Sequence, residues 1–264
     1  MGASVGHPER VVVVHQMGKV GSSSVYRALR GVGGVRVLFT HLMHRDILAK
    51  YVRRKRAAGQ ELPDHVGDSR ELWRLIRHTD ARIDVVTAVR DPIARNVSAL
   101  FQNLPPEYAC EPTRERVGAL IRRFLHGYPH SVPVWWLQQH LAEALGVPVF
   151  DAPFDPERKE LFLEHGRFRV LALRAEDCQA ERADAIERRL GLGGVRLDRA
   201  NVGAEKAYAS MYRAFVREFE PPGWLVEKCY RSVMCRHFYS DEEIARFRSR
   251  WGVGSTTEAS AYVA

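Results

Sequence analysis

A short glycine- and serine-rich segment has the residue types that bind a phosphate-like anion. It reads, in order, Gly18, Lys19, Val20, Gly21, Ser22, Ser23 and Ser24. Its glycines allow a tight turn, its lysine adds a mobile positive charge, and its serines add hydroxyl donors. Four valines precede it and a helical pattern follows, so its amides are expected at a helix N-terminus, where anions bind. An ordinary serine-rich helix cap explains this segment alone equally well.

A second segment, residues 85–100, places an arginine at the end of a buried strand and a serine eight residues later. Arg90 offers a guanidinium fork that matches a phosphate, and Ser98 adds a hydroxyl donor from the helix that follows. If the two strands are neighbours in a parallel sheet, Arg90 lies at the same sheet edge as the first segment. In the alternative interpretation, Arg90 pairs with a carboxylate and Asp91 caps the helix.

The elements around these segments predict an α/β fold. Strands are expected over Arg10–His15, Val35–Thr40, Ile83–Val89, 147–150 and 169–173. Helices are expected over Ser22–Arg30, from Pro92 onward, and over 114–125, 134–145, 180–190, 204–219 and 241–251. Residues 50–60 form a basic helix or loop. The alternation of strands and helices predicts a P-loop-like three-layer fold with a central, mainly parallel sheet flanked by helices, and a helical elaboration after Pro105.

Length and composition predict one domain over residues 1–253 and a flexible tail over residues 254–264. With 45% hydrophobic residues, the chain has enough apolar material for a core, which excludes a wholly disordered protein. We expect no transmembrane segment, because no apolar run approaches the roughly 20 residues that span a bilayer. The first ten residues lack a secretory signal, so a cytoplasmic location is expected. Four cysteines are too few for a disulfide scaffold.

The charge of the chain favours an anionic partner. The formal net charge is +8, from 40 basic and 32 acidic residues. Nucleic-acid binding is not expected, because the basic residues are dispersed and no nucleic-acid-binding motif is present. Arg45 and residues 50–56 form a dense basic stretch, which either binds an acidic acceptor or is a solvated face. No feature of the sequence indicates an oligomeric state.

Together, the two anion-type segments resemble the sulfotransferase superfamily that uses 3′-phosphoadenosine 5′-phosphosulfate (PAPS) and releases 3′-phosphoadenosine 5′-phosphate (PAP). The order Lys-x-Gly-Ser-Ser-Ser, then Arg-Asp-Pro with a serine eight residues after the arginine, carries this resemblance. It implies that Arg90 and Ser98 hold the 3′-phosphate and that no metal is needed. It also implies that the 5′-phosphosulfate is held by Lys19, Val20, Gly21, Ser22, Ser23 and Ser24.

Two later stretches are similar to bacterial sulfotransferase-like proteins associated with capsular polysaccharide synthesis. They are residues 201–208, NVGAEKAY, and the ending HFYSDEEI at residues 237–244, which Trp251 follows. Those proteins carry an Asn-Lys-Trp-Tyr-Ser signature. Here Ala207 stands in place of the tryptophan and Ala209 in place of the serine. The resemblance implies a hydroxyl acceptor, with a carbohydrate as the first choice.

Sulfuryl transfer resembles phosphoryl transfer, an in-line displacement that depends on positioning and charge stabilisation. The resemblance therefore implies that Lys19 neutralises charge on the departing phosphate and that a general base takes the acceptor proton. His41 is the first candidate for the base, because it follows the strand Val35–Thr40 and a histidine suits neutral pH. His15 ends the first strand and is either a second candidate or a structural residue. Glu205 is an alternative base.

Three residues are candidates for contact with the acceptor. His44 follows His41 by three residues, Trp135 offers an aromatic face for a sugar, and Lys206 offers a charge to the acceptor or the 3′-phosphate. A helical core position for one of the paired tryptophans, and a solvated position for the lysine, are the alternatives. We expect no metal site, because Cys229, Cys235 and His237 do not have the spacing of a zinc site.

Other functions are compatible with parts of this pattern. The acceptor of a sulfotransferase is also expected among small natural products, lipid-linked alcohols or phenols. A nucleotide-binding module that has lost transfer is less well supported, because binding of PAP alone does not need Lys19. An ATP-dependent kinase requires G-x-x-x-x-G-K-[ST], in which lysine follows the second glycine, whereas Lys19 precedes Gly21.

Overall fold

The computed structural model describes residues 10–105, 108, 111–198 and 208–253. The chain contacts form two compact units, one from Met1–Arg90 and Trp135–Asn201, the other from Asp91–Val134 and Val202–Ala264. The expected single domain over residues 1–253 stays a prediction, because such a division does not show whether either unit folds alone. Glu205, Lys206 and the expected tail over residues 254–264 lie outside the described residues.

The first unit contains a five-stranded sheet. In chain order its strands are β1 (Arg10–His15), β2 (Val35–Thr40), β3 (Ile83–Val89), β4 (Leu161–His165) and β5 (Phe168–Arg174). Their order across the sheet is β2-β1-β3-β5-β4, and only β4 is antiparallel to its neighbour. The runs of valine in β1 and β3 are buried on both faces, as central parallel strands require.

The helices of this unit flank the sheet. They are α1 (Ser22–Arg30), α2 (Arg45–Ala57), α3 (Asp64–His78) and α7 (Gln179–Leu190). The connection from β1 to β2 runs in one direction across the sheet, and the connection from β2 to β3 runs back past β1. Because such crossovers are right-handed, α1 lies on one face of the sheet and α2 with α3 on the other. The α/β fold with a central, mainly parallel sheet flanked by helices is therefore confirmed.

The described elements of the second unit are helical. They are α4 (Pro92–Gln102), α5 (Arg114–Gly127), α8 (Ala209–Glu218), α9 (Gly223–Tyr230), α10 (Val233–Phe238) and α11 (Asp241–Arg250). A further helix, α6 (Val132–Leu137), crosses the boundary between the units in sequence. Phe101, Phe124, Phe215 and Phe219 pack edge to face or stacked in the core of this unit.

Asp91 opens α4 from a buried position. Its Oδ1 accepts the backbone N–H groups of Ile93, at 2.9 Å, and Ala94, at 3.3 Å, so it caps the helix as the alternative interpretation expected. The same carboxylate accepts the Tyr230 hydroxyl and the Trp251 indole N–H. Burial raises the pKa of Asp91 against the opposing effect of these hydrogen bonds.

Some of the predicted elements are wrong or incomplete. Residues 147–150 do not form a strand but lead into a 3-10 turn over Val149–Asp151, because Pro148 supplies no N–H to a ladder. The helix expected over residues 134–145 begins at Val132 and becomes a π-helix over Gln138–Glu143. Residues 50–60 belong to α2 as far as Ala57, and β4, α3, α9 and α10 were not predicted. In the described ranges, no helix combines the length and the apolar character needed to cross a bilayer.

Asp84 ties three strands of the sheet together, so its removal should lower stability. Its buried carboxylate accepts hydrogen bonds from Nη2 of Arg10 and from Nη2 of Arg169, each at 2.7 Å. We expect Asp84→Asn to lower the free energy of unfolding in urea by about 3 kcal/mol, because two guanidinium groups then lack their counter-charge. Glu71→Gln, which removes the two more exposed ion pairs of Glu71 with Arg36 and Arg74, should cost about 1 kcal/mol or less. Equal losses for the two variants would contradict this role.

Candidate functional site

The glycine-rich segment lies at the switch point of the sheet. β1 and β3 are neighbours, and the chain continues from β1 toward one edge of the sheet and from β3 toward the other. Ligands of open α/β sheets bind beyond the carboxyl ends of the strands at such a point. Because β1 and β3 are neighbours, Arg90 lies at the same sheet edge as the glycine-rich segment, as expected. Its Nη1 donates to the carbonyl of Lys19 at 2.9 Å. The two predicted segments therefore meet at one edge of the sheet through this bond.

The turn between β1 and α1 has an unusual backbone. Gly18, Lys19 and Gly21 have φ values of 79°, 66° and 74°, all in the left-handed region. A left-handed conformation costs a non-glycine residue such as Lys19 about 1–2 kcal/mol, and strain of this kind is typical of functional sites. A turn of this kind directs successive backbone N–H groups into a concave surface that binds anions.

Two guanidinium groups hold the carbonyls of this turn. Arg90 binds the carbonyl of Lys19, and Nη2 of Arg182 lies 3.4 Å from the carbonyl of Val20. In a trans peptide the C=O and N–H point in opposite directions, and the described residues contain no cis peptide. The N–H groups of Val20 and Gly21 therefore point away from the two arginines. This donor set fits a phosphate-type anion.

Arg182 is a part of the site that the sequence analysis missed. It lies in α7, is almost completely buried and places Nη1 3.0 Å from where a Cβ of Gly21 would stand. Burial lowers the pKa of its guanidinium, and the charges of Asp177 and Glu176 oppose that shift. Asp177 is itself held by Arg174 at 2.7 Å. Arg182 thus supplies a buried positive charge behind the turn, and no local motif marks it in the sequence.

The three serines after the turn have different environments. The buried hydroxyl of Ser22 donates to Oε1 of Gln16, and the hydroxyl of Ser24 donates to the carbonyl of Gly21 at 2.9 Å. Ser23 is exposed. Among the described residues, no side chain caps the N-terminus of α1, whose N-cap is Gly21, and its first turn has no acidic residue. The serine-cap alternative is therefore wrong, and the positive end of the α1 dipole has no acidic partner in that turn.

Gln16 connects this segment to His41. Because its Oε1 accepts from Ser22, its amide nitrogen faces Nε2 of His41, at 2.9 Å, and donates to it. Nε2 of His41 is then unprotonated and its one lone pair accepts the Gln16 amide, so this nitrogen can act as a general base only when another donor displaces that amide. His41 also packs against the ring of His65, with centroids 4.5 Å apart. The sequence analysis did not identify Gln16 as a site residue.

A buried histidine holds the loop that carries His41. Nδ1 of His140 accepts the backbone N–H groups of Met43, at 3.2 Å, and His44, at 3.1 Å, which requires a neutral imidazole. Desolvation, together with the charges of His44 and His41, lowers the pKa of His140 to about 3. The indole N–H of Trp73 donates to the carbonyl of Met43 at 2.8 Å. Loop 41–44 is therefore fixed from two sides.

His15 is completely buried beside this cluster. Its ring stacks on Trp136 with centroids 5.4 Å apart and lies edge-on to His140, while its Nδ1 approaches the Thr87 hydroxyl. Burial lowers the pKa of His15 well below its usual value, with His140 and His41 acting in the same direction. Trp136 takes the core position expected for one of the paired tryptophans.

The remaining predicted residues are distributed as follows. His44 is the N-cap of α2, with Nδ1 buried and unpartnered within the described ranges. Trp135 is 54% exposed. Ser98 lies within α4 of the second unit, and Lys206 lies outside the described residues. Burial raises the pKa of the Cys229 thiol to about 12, and the described ranges contain no cluster of three or more histidine, cysteine or acidic residues that could hold a metal ion.

Comparison with known proteins adds no assignment. The sequence matches no protein-family model, and the searches of curated proteins and of solved structures gave no match. The interpretation of the site therefore depends on its residues and their geometry.

Replacement of Gly21 tests whether the turn needs its conformation and its contact with Arg182. We expect Gly21→Ala to lower the free energy of unfolding by about 2–3 kcal/mol, because φ is +74° and the new Cβ meets a buried guanidinium. Gly34→Ala is the matched control, since φ is +72° there and nothing lies within 4 Å. It should cost about 1–2 kcal/mol in the same urea titration. Equal costs would show that Arg182 does not constrain the turn.

The buried, neutral His140 should make stability fall in acid. Its pKa is lowered in the folded state, so the unfolded chain binds the proton first, and stability is lost as the pH falls from about 6.5 toward 3. We expect His140→Gln to reduce the slope of unfolding free energy against pH, between pH 6 and 4, by up to about 1.4 kcal/mol per pH unit. His78→Gln, at the exposed end of α3, is the control. An unchanged slope in His140→Gln would contradict the neutral, buried state.

Proposed function

We propose that the protein is a sulfotransferase that transfers a sulfuryl group from PAPS to a hydroxyl of an acceptor, with a carbohydrate as the first choice. The observation that carries the proposal is the bond between Arg90 and the carbonyl of Lys19. It joins the two segments of the resemblance at the switch point of the sheet, beside a turn whose amides face away from the arginines. PAPS presents phosphate groups and a sulfuryl group, the kind of anion that such a turn fits.

The residues of the site match the needs of the reaction. Bound PAPS supplies an activated sulfuryl group, and its S–O bond to the 5′-phosphate breaks as the acceptor oxygen forms a new S–O bond. In the proposal, Lys19 and the amides of the turn stabilise the charge on the 5′-phosphate. The acceptor hydroxyl displaces the Gln16 amide from Nε2 of His41 and passes its proton to that nitrogen. Arg90 and Ser98 bind the 3′-phosphate, as the resemblance implies.

Two other functions are weaker alternatives. A PAP-binding module without transfer has no use for an unprotonated His41 or for Lys19. An ATP-dependent kinase needs a magnesium carboxylate near the phosphates. Asp91, the acidic residue that directly follows Arg90, is buried and accepts hydrogen bonds from a helix N-terminus, a tyrosine and a tryptophan. Within the sulfotransferase class, a phenol or a small natural product remains the alternative acceptor.

A transfer assay tests the proposal. The full chain is incubated without metal with PAPS labelled in the sulfuryl group and with neutral oligosaccharides, acidic oligosaccharides or a phenol. A parallel reaction contains ATP labelled in the γ-phosphate and magnesium. Transfer of the label from PAPS to an acceptor supports the proposal, and the acceptor that becomes labelled defines the substrate class. Transfer only from ATP would contradict it.

Lys19 should affect turnover more than binding. We expect Lys19→Ala to lower kcat by about 100-fold or more, because charge on the departing phosphate grows in the transition state. The affinity for PAP, measured by calorimetry, should fall far less. Lys50→Ala, an exposed lysine of α2, is the control and should leave kcat unchanged. A Lys19→Ala variant with normal kcat would remove this residue from the mechanism.

A further inference from the structure

A cavity lies in the first unit, beside the loop that carries His41. Its volume is about 700 Å³, within the range of small-molecule sites. It is bounded by the N-terminal part of α2, by one face of α3 and by the end of the π-helix at Glu143. The function proposed above does not use this cavity.

Four arginines line the cavity. They are Arg45 and Arg53 from α2, and Arg70 and Arg77 from α3. Two acidic residues, Asp46 and Glu143, also line it. Within the described part of the chain, none of these six side chains forms an ion pair. Four guanidinium groups against two carboxylates give the lining a net positive charge, which favours an anion.

Aromatic and aliphatic side chains give the cavity an apolar wall. Trp73 stands between Arg70 and Arg77 on the same face of α3, and its ring is fixed by the hydrogen bond to the Met43 carbonyl. The guanidinium of Arg45 lies 5.5 Å from the centre of this ring. Leu48 and Val52 complete the wall from α2. A ligand that combines charged groups with an apolar face fits this lining.

The cavity is close to the proposed base. His44 lines it, and only two residues separate His44 from His41. Three residues of extended chain span at most about 11 Å, so the His44 wall lies within that distance of the His41 backbone. Gln16 and Ser22 continue this polar connection to the turn. The His44 wall of the cavity is therefore close to the proposed base.

We propose that this cavity binds the negatively charged part of the acceptor, so that the acceptor is an anionic, hydroxyl-bearing molecule. An acidic oligosaccharide is the class that combines acidic groups with free hydroxyls and with the apolar faces of sugar rings. This inference rests on the proposed function, because that function supplies the need for an acceptor near His41.

Binding of a defined acidic sugar to the full chain tests the inference without any nucleotide. The probe is the trisaccharide of galacturonic acid, and the neutral trisaccharide of galactose is its control. The variant Arg53→Glu/Arg70→Glu reverses two charges of the cavity. The variant Arg54→Glu/Arg56→Glu makes the same change in net charge on exposed residues of α2 outside the lining. Cooperative thermal unfolding of both variants shows that they are folded.

We expect calorimetry to show binding of the acidic sugar but not of the neutral one. Affinity should fall at least tenfold in Arg53→Glu/Arg70→Glu and less than twofold in Arg54→Glu/Arg56→Glu. Equal losses in the two variants, equal affinity for the neutral sugar, or no binding of the acidic sugar would overturn the inference. A separate titration with PAP distinguishes the two proposals. PAP binding without sugar binding would overturn only the proposed role of the cavity. Sugar binding without PAP binding would overturn the proposed nucleotide.

Discussion

The site depends on one constraint, which is the orientation of the peptide groups between β1 and α1. Two of their carbonyls are held by guanidinium groups that come from distant parts of the chain, Arg90 at the end of β3 and Arg182 in α7. With the carbonyls fixed, the N–H groups of Val20 and Gly21 face the opposite direction. The left-handed conformation of the turn, and the need for glycine at position 21, follow from the same arrangement.

A buried histidine cluster, His15 and His140, stabilises the loop that carries His41. His140 and His15 are buried and neutral, and the loop that carries His41 depends on His140 as a hydrogen-bond acceptor. A charged His140 would lose that acceptor. The cluster therefore keeps the proposed base in place, and the positively charged groups remain on the turn and in the arginine-lined cavity. In the proposed function, this separation lets one edge of the sheet hold an anion near an unprotonated base.

Much of the fold could be predicted because its signal is local. The valine runs gave the bounds of β1 and β3, and the order of strands and helices gave a mainly parallel sheet. Two of the predicted segments, the glycine-rich turn and Arg90, meet because both follow neighbouring parallel strands. Arg182, Gln16 and His140 could not be found in this way, because each acts through a contact with a distant part of the chain. The π-helix that carries His140 also breaks the regular helical pattern expected there.

The most direct test of the account is a calorimetric titration of the unmodified protein and of Arg90→Ala with PAP and with AMP, its analogue without the 3′-phosphate. We expect metal-independent binding of PAP that is tighter than binding of AMP. Arg90→Ala should weaken the binding of PAP by about 10- to 100-fold, because a charged hydrogen bond to the 3′-phosphate is lost. The binding of AMP should weaken less. Equal affinity for the two nucleotides, or binding of ATP with magnesium in preference to PAP, would contradict it.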